Sequence, residues 1–244
     1  MRLLVDAGNT RLKWRLERDG VPVEQGAGRL DDDAQITAVL NTIDGIESVA
    51  VSTVASEERQ ERLKGFLQQQ TAAPVTFYWA ERTRGGLVNA YKDVARMGAD
   101  RWHAMYGAWA SCRQGFAVVD AGSAVTVDYV DASGRHLGGF ILPGLQMMLR
   151  SLKTDAARIG FDSAQILATD PGRSTGECVN HGLAWLSAGM VDRVHRDAHA
   201  YGLADIVVTG GDADRLLGLG LLGKKLPSLV LDGLALIHAE EQGG

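Results

Sequence analysis

The stretch that decides the fold is Leu3-Leu4-Val5-Asp6-Ala7-Gly8-Asn9-Thr10-Arg11-Leu12-Lys13. A short apolar run ends in an aspartate, a Gly-Asn-Thr turn follows, and polar and apolar residues then alternate. This pattern predicts a β-hairpin with a carboxylate at the tip of its first strand. Exposed N–H groups in such a turn bind phosphate oxygens, and the aspartate is suited to hold Mg²⁺ beside them. The same residue types are common in ordinary turns, so the stretch alone leaves both interpretations open.

The pattern occurs a second time, because Val5-Asp6-Ala7-Gly8 returns as Val119-Asp120-Ala121-Gly122. Ser123 stands where Asn9 stood, and another alternating run follows over residues 125–130. Gly20 and Gly134 close the two hairpins at the same offset. A repeat that spans half the chain predicts two similar α/β domains, which we assign to residues 1–115 and 116–244.

Composition narrows the class of protein. The 244 residues are 45% hydrophobic and 23% charged, which is typical of a globular protein with a sizeable core. A net charge of −5 without a basic block argues against nucleic acid as a partner, and no apolar stretch approaches the length of a membrane span. Cys112 and Cys178 are too few for a disulfide framework, so we expect reduced thiols in a cytoplasmic protein.

The rest of the first half alternates strands and helices. We predict strands at residues 21–27, 49–52 and 75–78, and helices at 31–43 and 56–70. An irregular segment from 82 leads to Gly98-Ala99-Asp100-Arg101, at the start of a helix that ends near Cys112. This turn offers a carboxylate, a guanidinium and free N–H groups, which suits a small acidic substrate with a hydroxyl group. A simple helix cap is the alternative for Asp100.

The second half repeats the hairpin and continues into a strand that ends at Pro143-Gly144. A long helical region from Thr175 to about His199 contains Gly182 and Gly189, which predict that another element packs closely there. Asp192, His195 and His199 have the spacing of metal ligands. They do not match the His-Glu-x-x-His pattern, so we interpret them as a solvated helix face.

The last elements are a buried strand that meets Thr209-Gly210-Gly211-Asp212, a strand at residues 229–231 and a helix from 233. Two glycines before a helix let a flat ligand approach the backbone and favour phosphate at the helix N-terminus. The counterpart in the first half, Val51-Ser52-Thr53-Val54-Ala55-Ser56, lacks glycines. This asymmetry predicts that a nucleotide base lies on the second domain.

The two Asp-x-Gly hairpins and the late Thr-Gly-Gly turn resemble the superfamily of actin-like sugar kinases and Hsp70 ATPases. More closely, the chain resembles type III pantothenate kinases over nearly its whole length. Besides the opening stretch, the blocks that carry the resemblance are Asn89-Ala90-Tyr91, Gly98-Ala99-Asp100-Arg101-Trp102, Asp120-Ala121-Gly122-Ser123-Ala124-Val125-Thr126, Gly138-Gly139-Phe140-Ile141-Leu142-Pro143-Gly144 and Thr209-Gly210-Gly211-Asp212.

The resemblance implies two duplicated actin-like (ribonuclease H-like) domains with an ATP cleft between them. It implies ATP-dependent phosphorylation of pantothenate to 4′-phosphopantothenate, the first step of coenzyme A biosynthesis, by a homodimer. Asp100 matches the family's general base, Asp6 would hold Mg²⁺, and Asp120 matches the ligand of a monovalent cation, K⁺ or NH₄⁺. The remaining matches fall into two sets. The ATP-binding set is Asp6, Ala7, Gly8, Asn9, Thr10, Arg11, Leu12, Lys13 and Ser123. The pantothenate-binding set is Tyr91, Gly98, Ala99, Asp100, Arg101 and Thr175.

One residue departs from the family pattern, since threonine usually stands where Ser123 stands here. Serine keeps the hydroxyl group for phosphate, but it is less stiff and loosens the turn. Two other functions stay open at this point. One is a non-catalytic accessory factor in transcription, as which some relatives were first described. The other is a kinase of the same superfamily with a different small hydroxylated substrate.

Overall fold

The computed structural model describes residues 1–8, 10–29, 45–155 and 167–243. They form two compact units, Met1–Ser111 together with Ser228–Gly244, and Cys112–Pro227. The contacts thus group the end of the chain with the first unit, while the domain ranges 1–115 and 116–244 stay a prediction. The helix predicted at 31–43 and the phosphate-binding candidate Asn9 lie outside the described residues.

The first unit contains a five-stranded sheet in the order β3-β2-β1-β4-β5. Its strands are β1 (Arg2–Ala7), β2 (Arg11–Arg18), β3 (Val21–Arg29), β4 (Ser48–Thr53) and β5 (Val75–Tyr78). The first three strands are antiparallel, as the alternating hairpin pattern predicts. β4 and β5 continue the sheet parallel to β1, so the end of β1 lies beside the end of β4.

The second unit repeats this topology. The first unit also contains a short hairpin of β6 (Thr83–Arg84) and β7 (Leu87–Val88). The strands of the second unit are β8 (Phe116–Ala121), β9 (Ala124–Val130), β10 (His136–Pro143), β11 (Asp205–Thr209) and β12 (Lys224–Lys225). Their order, β10-β9-β8-β11-β12, corresponds strand for strand to that of the first sheet. Gly20 and Gly134, with φ of +79° and +84°, occupy equivalent turns. The duplication predicted from the two aspartate hairpins is therefore visible in the topology.

Helices cover the sheets. They are α1 (Glu57–Gln70), α2 (Ala99–Cys112), α3 (Leu145–Asp155), α4 (Thr175–Ala200), α5 (Ala213–Gly218) and α6 (Leu229–Gln242). In the first unit Leu63 and Leu67 of α1 pack against Val5 and its neighbours on one face of the sheet. In the second unit Val191 and Val194 of α4 do the same against Val119. No helix among the described residues is long and apolar enough to cross a bilayer.

One prediction for these helices is wrong. Residues 229–231 are not a strand but the first turn of α6. A short run of buried apolar residues has no period that distinguishes the two structures, and α6 is buried on several sides. A Cβ on Gly182 or Gly189 would meet none of the described residues within 4 Å, so the close packing predicted at these positions stays a prediction.

The glycines that do permit close packing lie where α2 crosses α6. A Cβ on Gly233 would overlap the carbonyl oxygen of His103, and one on Gly107 would lie 2.9 Å from the carbonyl oxygen of Leu229. Small residues let two helix backbones approach closely at a crossing, so these positions fix α2 against α6. The N-terminus of α2, with Asp100, is positioned by this contact.

Candidate active site

The first turn joins β1 to β2 and carries most of the predicted phosphate-binding residues. The Gly8 N–H donates to the Arg11 carbonyl over 3.0 Å and closes the turn. Thr10 and Arg11 are exposed, whereas Ala7 and Leu12 form a cross-strand pair whose side chains belong to the core. A contact of Ala7 or Leu12 with phosphate would therefore use their backbone groups.

Asp6 lies at the end of β1 between two polar neighbours. Its partners in the sheet register are Lys13 on β2 and Ser52 on β4. Directly paired residues project from the same face of a sheet, so the side chains of Asp6 and Lys13 lie on one face. This face is opposite the one that packs Val5 against α1. A carboxylate beside a cation is a suitable pair for a metal–phosphate ligand.

Asp120 holds the equivalent position at the end of β8 in the second unit, and bare backbone borders it. Gly210 follows β11 with φ of +92°, and a Cβ on it would lie 2.5 Å from Asp120 Oδ1 and overlap the Ala121 carbonyl oxygen. A Cβ on Gly122 would lie 3.5 Å from the same carboxylate oxygen. We call residues 209–212 the second corner. Of the two glycines predicted to leave it open, Gly210 is thus required by its geometry.

The end of β10 supports the second turn. The Gly144 N–H donates to the Ser123 carbonyl over 3.1 Å. A Cβ on Gly144 would lie 2.5 Å from the carbonyl oxygens of Gly122 and Ser123, so only glycine fits there. This contact explains why the Pro143-Gly144 block accompanies the turn in the sequence. The Ser123 residue itself is exposed.

Residues 53–56, the first corner, are built differently. Thr53 Oγ1 donates to the Ala7 carbonyl over 3.0 Å and accepts the Ala55 N–H over 3.1 Å. Val54 donates its N–H to the Ala7 carbonyl over 3.3 Å, and its side chain lies 3.3 Å from where a Cβ on Gly98 would stand. The first corner is therefore filled by side chains and contacts the segment that leads into α2.

Asp100, the candidate general base, stands beside this filled corner. Its Oδ1 lies 2.6 Å from where a Cβ on Gly98 would stand, and the same oxygen accepts the Arg101 N–H over 2.7 Å. Through Gly98 and Val54, Asp100 is placed at the edge of the sheet where β1 ends. The structure thus brings Asp100 to the same edge as Asp6. The neighbouring residue Ala99, which is also predicted to contact the substrate, is buried.

Arg101 and Tyr91 form a pair next to Asp100. Arg101 Nη1 donates to Tyr91 Oη over 2.6 Å, and the guanidinium carbon lies 5.5 Å from the centre of the tyrosine ring. Only 5% of Arg101 is exposed. A guanidinium held in a largely desolvated position by an aromatic ring binds a carboxylate strongly and with a defined orientation. Two residues predicted to contact pantothenate therefore lie together.

Thr175, the last predicted substrate contact, belongs to the second unit, where it begins α4. Ser174 Oγ accepts the Glu177 N–H over 3.2 Å, and Glu177 Oε2 accepts the Arg173 N–H over 2.7 Å. These bonds cap the N-terminus of α4. Thr175 is exposed just after this cap.

A buried histidine that the sequence left unassigned lies under the first unit's site. His103 Nδ1 is 2.8 Å from Ser52 Oγ, and Ser52 is the sheet neighbour of Asp6. Burial, with a smaller contribution from the charge of Arg84, lowers the pKa of His103 to about 3. The imidazole is therefore neutral at physiological pH. The only available signal was a histidine within an otherwise apolar helix segment.

Within the described ranges, no three or more His, Cys, Asp or Glu side chains are grouped so that they could hold a metal ion. His195, one of the residues with metal-like spacing, accepts the Leu222 N–H at its Nε2 over 3.0 Å, so it is more than a solvated side chain. A single carboxylate such as Asp6 nevertheless suits Mg²⁺, which in nucleotide sites is bound by one or two carboxylates and by substrate phosphates.

Similarity to solved structures agrees with the two-unit topology. A protein from Campylobacter jejuni, described as a candidate transcriptional activator of the Baf family, superposes with a TM-score of 0.65 at 22% identity over 99% of this chain and 100% of that one. Lmo2764 from Listeria monocytogenes, described as a candidate N-acetylmannosamine kinase, gives a TM-score of 0.55 at 14% identity over 99% of each chain. These likenesses confirm the predicted actin-like α/β fold.

Sequence comparison identifies the family. A profile of type III pantothenate kinases matches residues 2–197. A type III pantothenate kinase from Marinobacter nauticus is 59% identical over 234 residues, which is 96% of this chain and 96% of that protein. The resemblance inferred from the motifs is confirmed: this chain belongs to the type III pantothenate kinase family.

Proposed function

We propose that this protein transfers the γ-phosphate of ATP to the primary hydroxyl group of pantothenate and forms 4′-phosphopantothenate, the first step of coenzyme A biosynthesis. The observation that carries the proposal is the 59% identity to a pantothenate kinase over almost the whole of both chains. Phosphoryl transfer depends mainly on positioning and on stabilising charge, and the three carboxylates at residues 6, 100 and 120 supply the groups that it needs.

The phosphates of ATP are assigned to the two hairpin turns. In the first turn the backbone and side chains of residues 6–13 bind the phosphates, with Lys13 next to Asp6 as the neutralising cation. In the second turn the exposed Ser123 contributes its hydroxyl group. The second corner, with its bare backbone at Gly210, receives the nucleotide.

The metal ions are assigned to the two strand ends. Mg²⁺ fits beside Asp6, where the carboxylate is joined by phosphate oxygens, and K⁺ or NH₄⁺ fits beside Asp120, which backbone from Gly122 and Gly210 surrounds. When bound, these cations would neutralise the charge of the phosphates. The oxygen-rich and thiol-free character of both strand ends supports hard cations over transition metals.

Pantothenate is assigned to the start of α2. Arg101, held by Tyr91, pairs with the substrate carboxylate, and Gly98 leaves space next to the Asp100 carboxylate. Asp100 accepts the proton of the attacking hydroxyl group, for which it must come within hydrogen-bond distance of that group. Ala99 and Thr175 complete the predicted contacts with the substrate.

A homodimer, which the family resemblance implies, is supported by an exposed face of α4. Trp185 and Leu186 are 67% and 52% exposed, and Gly182 and Gly189 on the same helix meet no described residue of this chain. A large apolar face with small residues is typical of a helix that packs against a partner. Light scattering at micromolar concentration should give the mass of a dimer, and a monomer would contradict the assignment.

We place the reaction in the cytoplasm. Cys112 and Cys178 are both free thiols, as is usual for proteins of a reducing compartment. The proposed phosphate donor, ATP, is also abundant there.

The test is to incubate the protein with ATP, Mg²⁺, K⁺ and pantothenate and to measure 4′-phosphopantothenate by mass spectrometry. The proposal predicts a product heavier than pantothenate by one phosphoryl group, formed together with ADP. ATP turnover with another hydroxylated acceptor but none with pantothenate would assign the protein to a different substrate. Absence of turnover with any acceptor would favour a non-catalytic role.

A further inference from the structure

Three carbonyl groups of the irregular segment that carries Tyr91 are bonded to the guanidinium group of Arg82. Residues 89–92 follow β7 without regular secondary structure, so their carbonyl groups have no partners from a sheet or helix ladder. The Arg82 guanidinium donates to three of them, namely Asn89 O over 3.2 Å, Tyr91 O over 2.6 Å and Lys92 O over 2.9 Å. A planar cation with five N–H donors can satisfy several carbonyls at fixed angles.

Asn89 completes the arrangement from the other side. Its side chain accepts the Tyr91 N–H over 2.9 Å and donates to the Glu81 carbonyl over 3.1 Å. Its own N–H donates to the Arg82 carbonyl over 3.0 Å. The main chain around Tyr91 is therefore bonded on both sides, to Asn89 and to Arg82.

The tyrosine that this loop presents has a defined task. Tyr91 Oη accepts from Arg101, and its ring lies under the same guanidinium. Arg101 is buried, so its orientation is set by such contacts and not by solvent. Tyr91 therefore connects the two arginines: its backbone carbonyl is bonded to Arg82 and its phenol group to Arg101.

We propose that Arg82 is a positioning residue for the acceptor substrate: it fixes the 89–92 loop so that Tyr91 orients Arg101 towards the pantothenate carboxylate. The inference rests on the proposed function, because it gives Arg101 the role of carboxylate partner. In this role Arg82 acts through Tyr91 and not by its own contact with the substrate.

A nearby arginine shows that this task is specific to Arg82. Arg84, two residues later, is bonded to Glu81 over 2.7 Å, to Glu240 over 2.8 Å and to Glu241. These contacts attach the β6–β7 hairpin to the end of α6. Arg84 therefore stabilises the scaffold, whereas the Arg82 guanidinium, among the residues that the structure describes, bonds only to carbonyls of the loop that carries Tyr91.

The test compares steady-state constants for Arg82→Gln, Arg82→Lys, Tyr91→Phe and the Arg82→Gln/Tyr91→Phe double variant. Arg82→Gln should raise the KM for pantothenate about tenfold, as expected for the loss of charge-assisted hydrogen bonds. The KM for ATP should stay within about twofold, which corresponds to only a few tenths of a kcal/mol. Arg82→Lys should be intermediate, because it keeps the charge but loses the planar arrangement of donors.

The double variant decides whether Arg82 acts through Tyr91. If it does, the double variant should be no worse than the more affected single variant, whereas independent effects would multiply. Arg96→Gln is the matched control, since it removes the same charge from an exposed position in the 3₁₀ turn of the same segment. Its pantothenate KM should equal that of the wild type.

Three results would overturn the inference: a wild-type pantothenate KM in Arg82→Gln, an equal rise of the pantothenate and ATP constants, or multiplicative effects in the double variant. If Arg82→Gln does not fold, Arg82→Lys carries the same comparison. Wild-type turnover is measured first, so that failure of the proposed function is distinguished from failure of Arg82 alone. A wild type without phosphopantothenate formation refutes both, and an active wild type with an unaffected Arg82→Gln variant refutes only the positioning role.

Discussion

The two corners of this molecule have the same topological position but opposite construction. In the first, Thr53 and Val54 fill the space after β4 and contact Ala7 and the Gly98 segment. In the second, Gly210 comes so close to Asp120 and Ala121 that no side chain fits. The same sheet topology thus supports two different local constructions at equivalent strand ends. The filled corner supports the segment that carries Asp100, the proposed base, and the open corner exposes backbone around the Asp120 carboxylate.

The largest expected effect belongs to the filled corner. Asp100→Asn keeps the shape of the side chain but removes its ability to accept a proton, so turnover should fall by roughly 10²–10⁴. ATP binding, measured by calorimetry, should stay close to that of the wild type. Unchanged turnover would remove Asp100 from the role of base and would leave the filled corner without a catalytic task.

A substitution in the open corner should lower the free energy of unfolding. Gly210→Ala forces a Cβ onto Asp120 Oδ1 and a strained backbone at φ +92°, so we expect the free energy of unfolding to fall by about 2–4 kcal/mol. The matched control is Gly202→Ala, which has φ of +63° but nothing within 4 Å of a Cβ, and should cost about 1 kcal/mol. Urea unfolding measures both. Equal losses would show that the contact with Asp120 is unimportant.

A monovalent cation at Asp120 would distinguish the two corners functionally, because only the open corner is assigned such an ion. Turnover should be higher in potassium or ammonium than in sodium buffer at constant ionic strength. Asp120→Asn should remove this preference. Asp6→Asn should leave the ratio of turnover in potassium to turnover in sodium unchanged, although both rates are lower. The same rate in sodium and in potassium would argue against Asp120 as the ligand.

The last expected effect is a dependence of stability on pH that comes from the first unit. The pKa of His103 is about 3 in the folded protein and about 6.5 when exposed, so the unfolded chain binds the extra proton first. Stability should therefore be highest above pH 6.5 and fall as the pH decreases towards 3. The contribution of His103 has a slope of up to about 1.4 kcal/mol per pH unit. His103→Asn should flatten the pH dependence of the free energy of unfolding, measured by urea titration, by up to this slope. An unchanged slope would mean that His103 is not buried and neutral.

The sequence predicted the sheets because their signal is local. Alternation in the hairpins and the repeated Asp-x-Gly turns required no knowledge of the partner strands. The start of α6 was mistaken for a strand, since three apolar residues fit either structure and only packing decides between them. Gly182 and Gly189 have no described neighbour within 4 Å of a Cβ, so the close packing predicted for them depends on an element outside the described residues.

The candidate site was predictable residue by residue but not as an arrangement. Asp6, Asp100 and Arg101 were named from motifs. The roles of Val54, His103 and Arg82 follow from contacts between residues far apart in the chain or from backbone carbonyls that a sequence does not display. Supporting residues of this kind have no characteristic pattern, so only the structure identifies them.

The central claim is that the two carboxylate-tipped turns serve one phosphoryl transfer. The most direct measurement is the rate of 4′-phosphopantothenate formation by Asp6→Asn and by Asp120→Asn, each compared with the wild type at saturating pantothenate. The account predicts that both variants fold and that each loses activity by about 10²-fold or more, as expected when a group that organises transition-state charge is removed. Wild-type rates in either variant would contradict it.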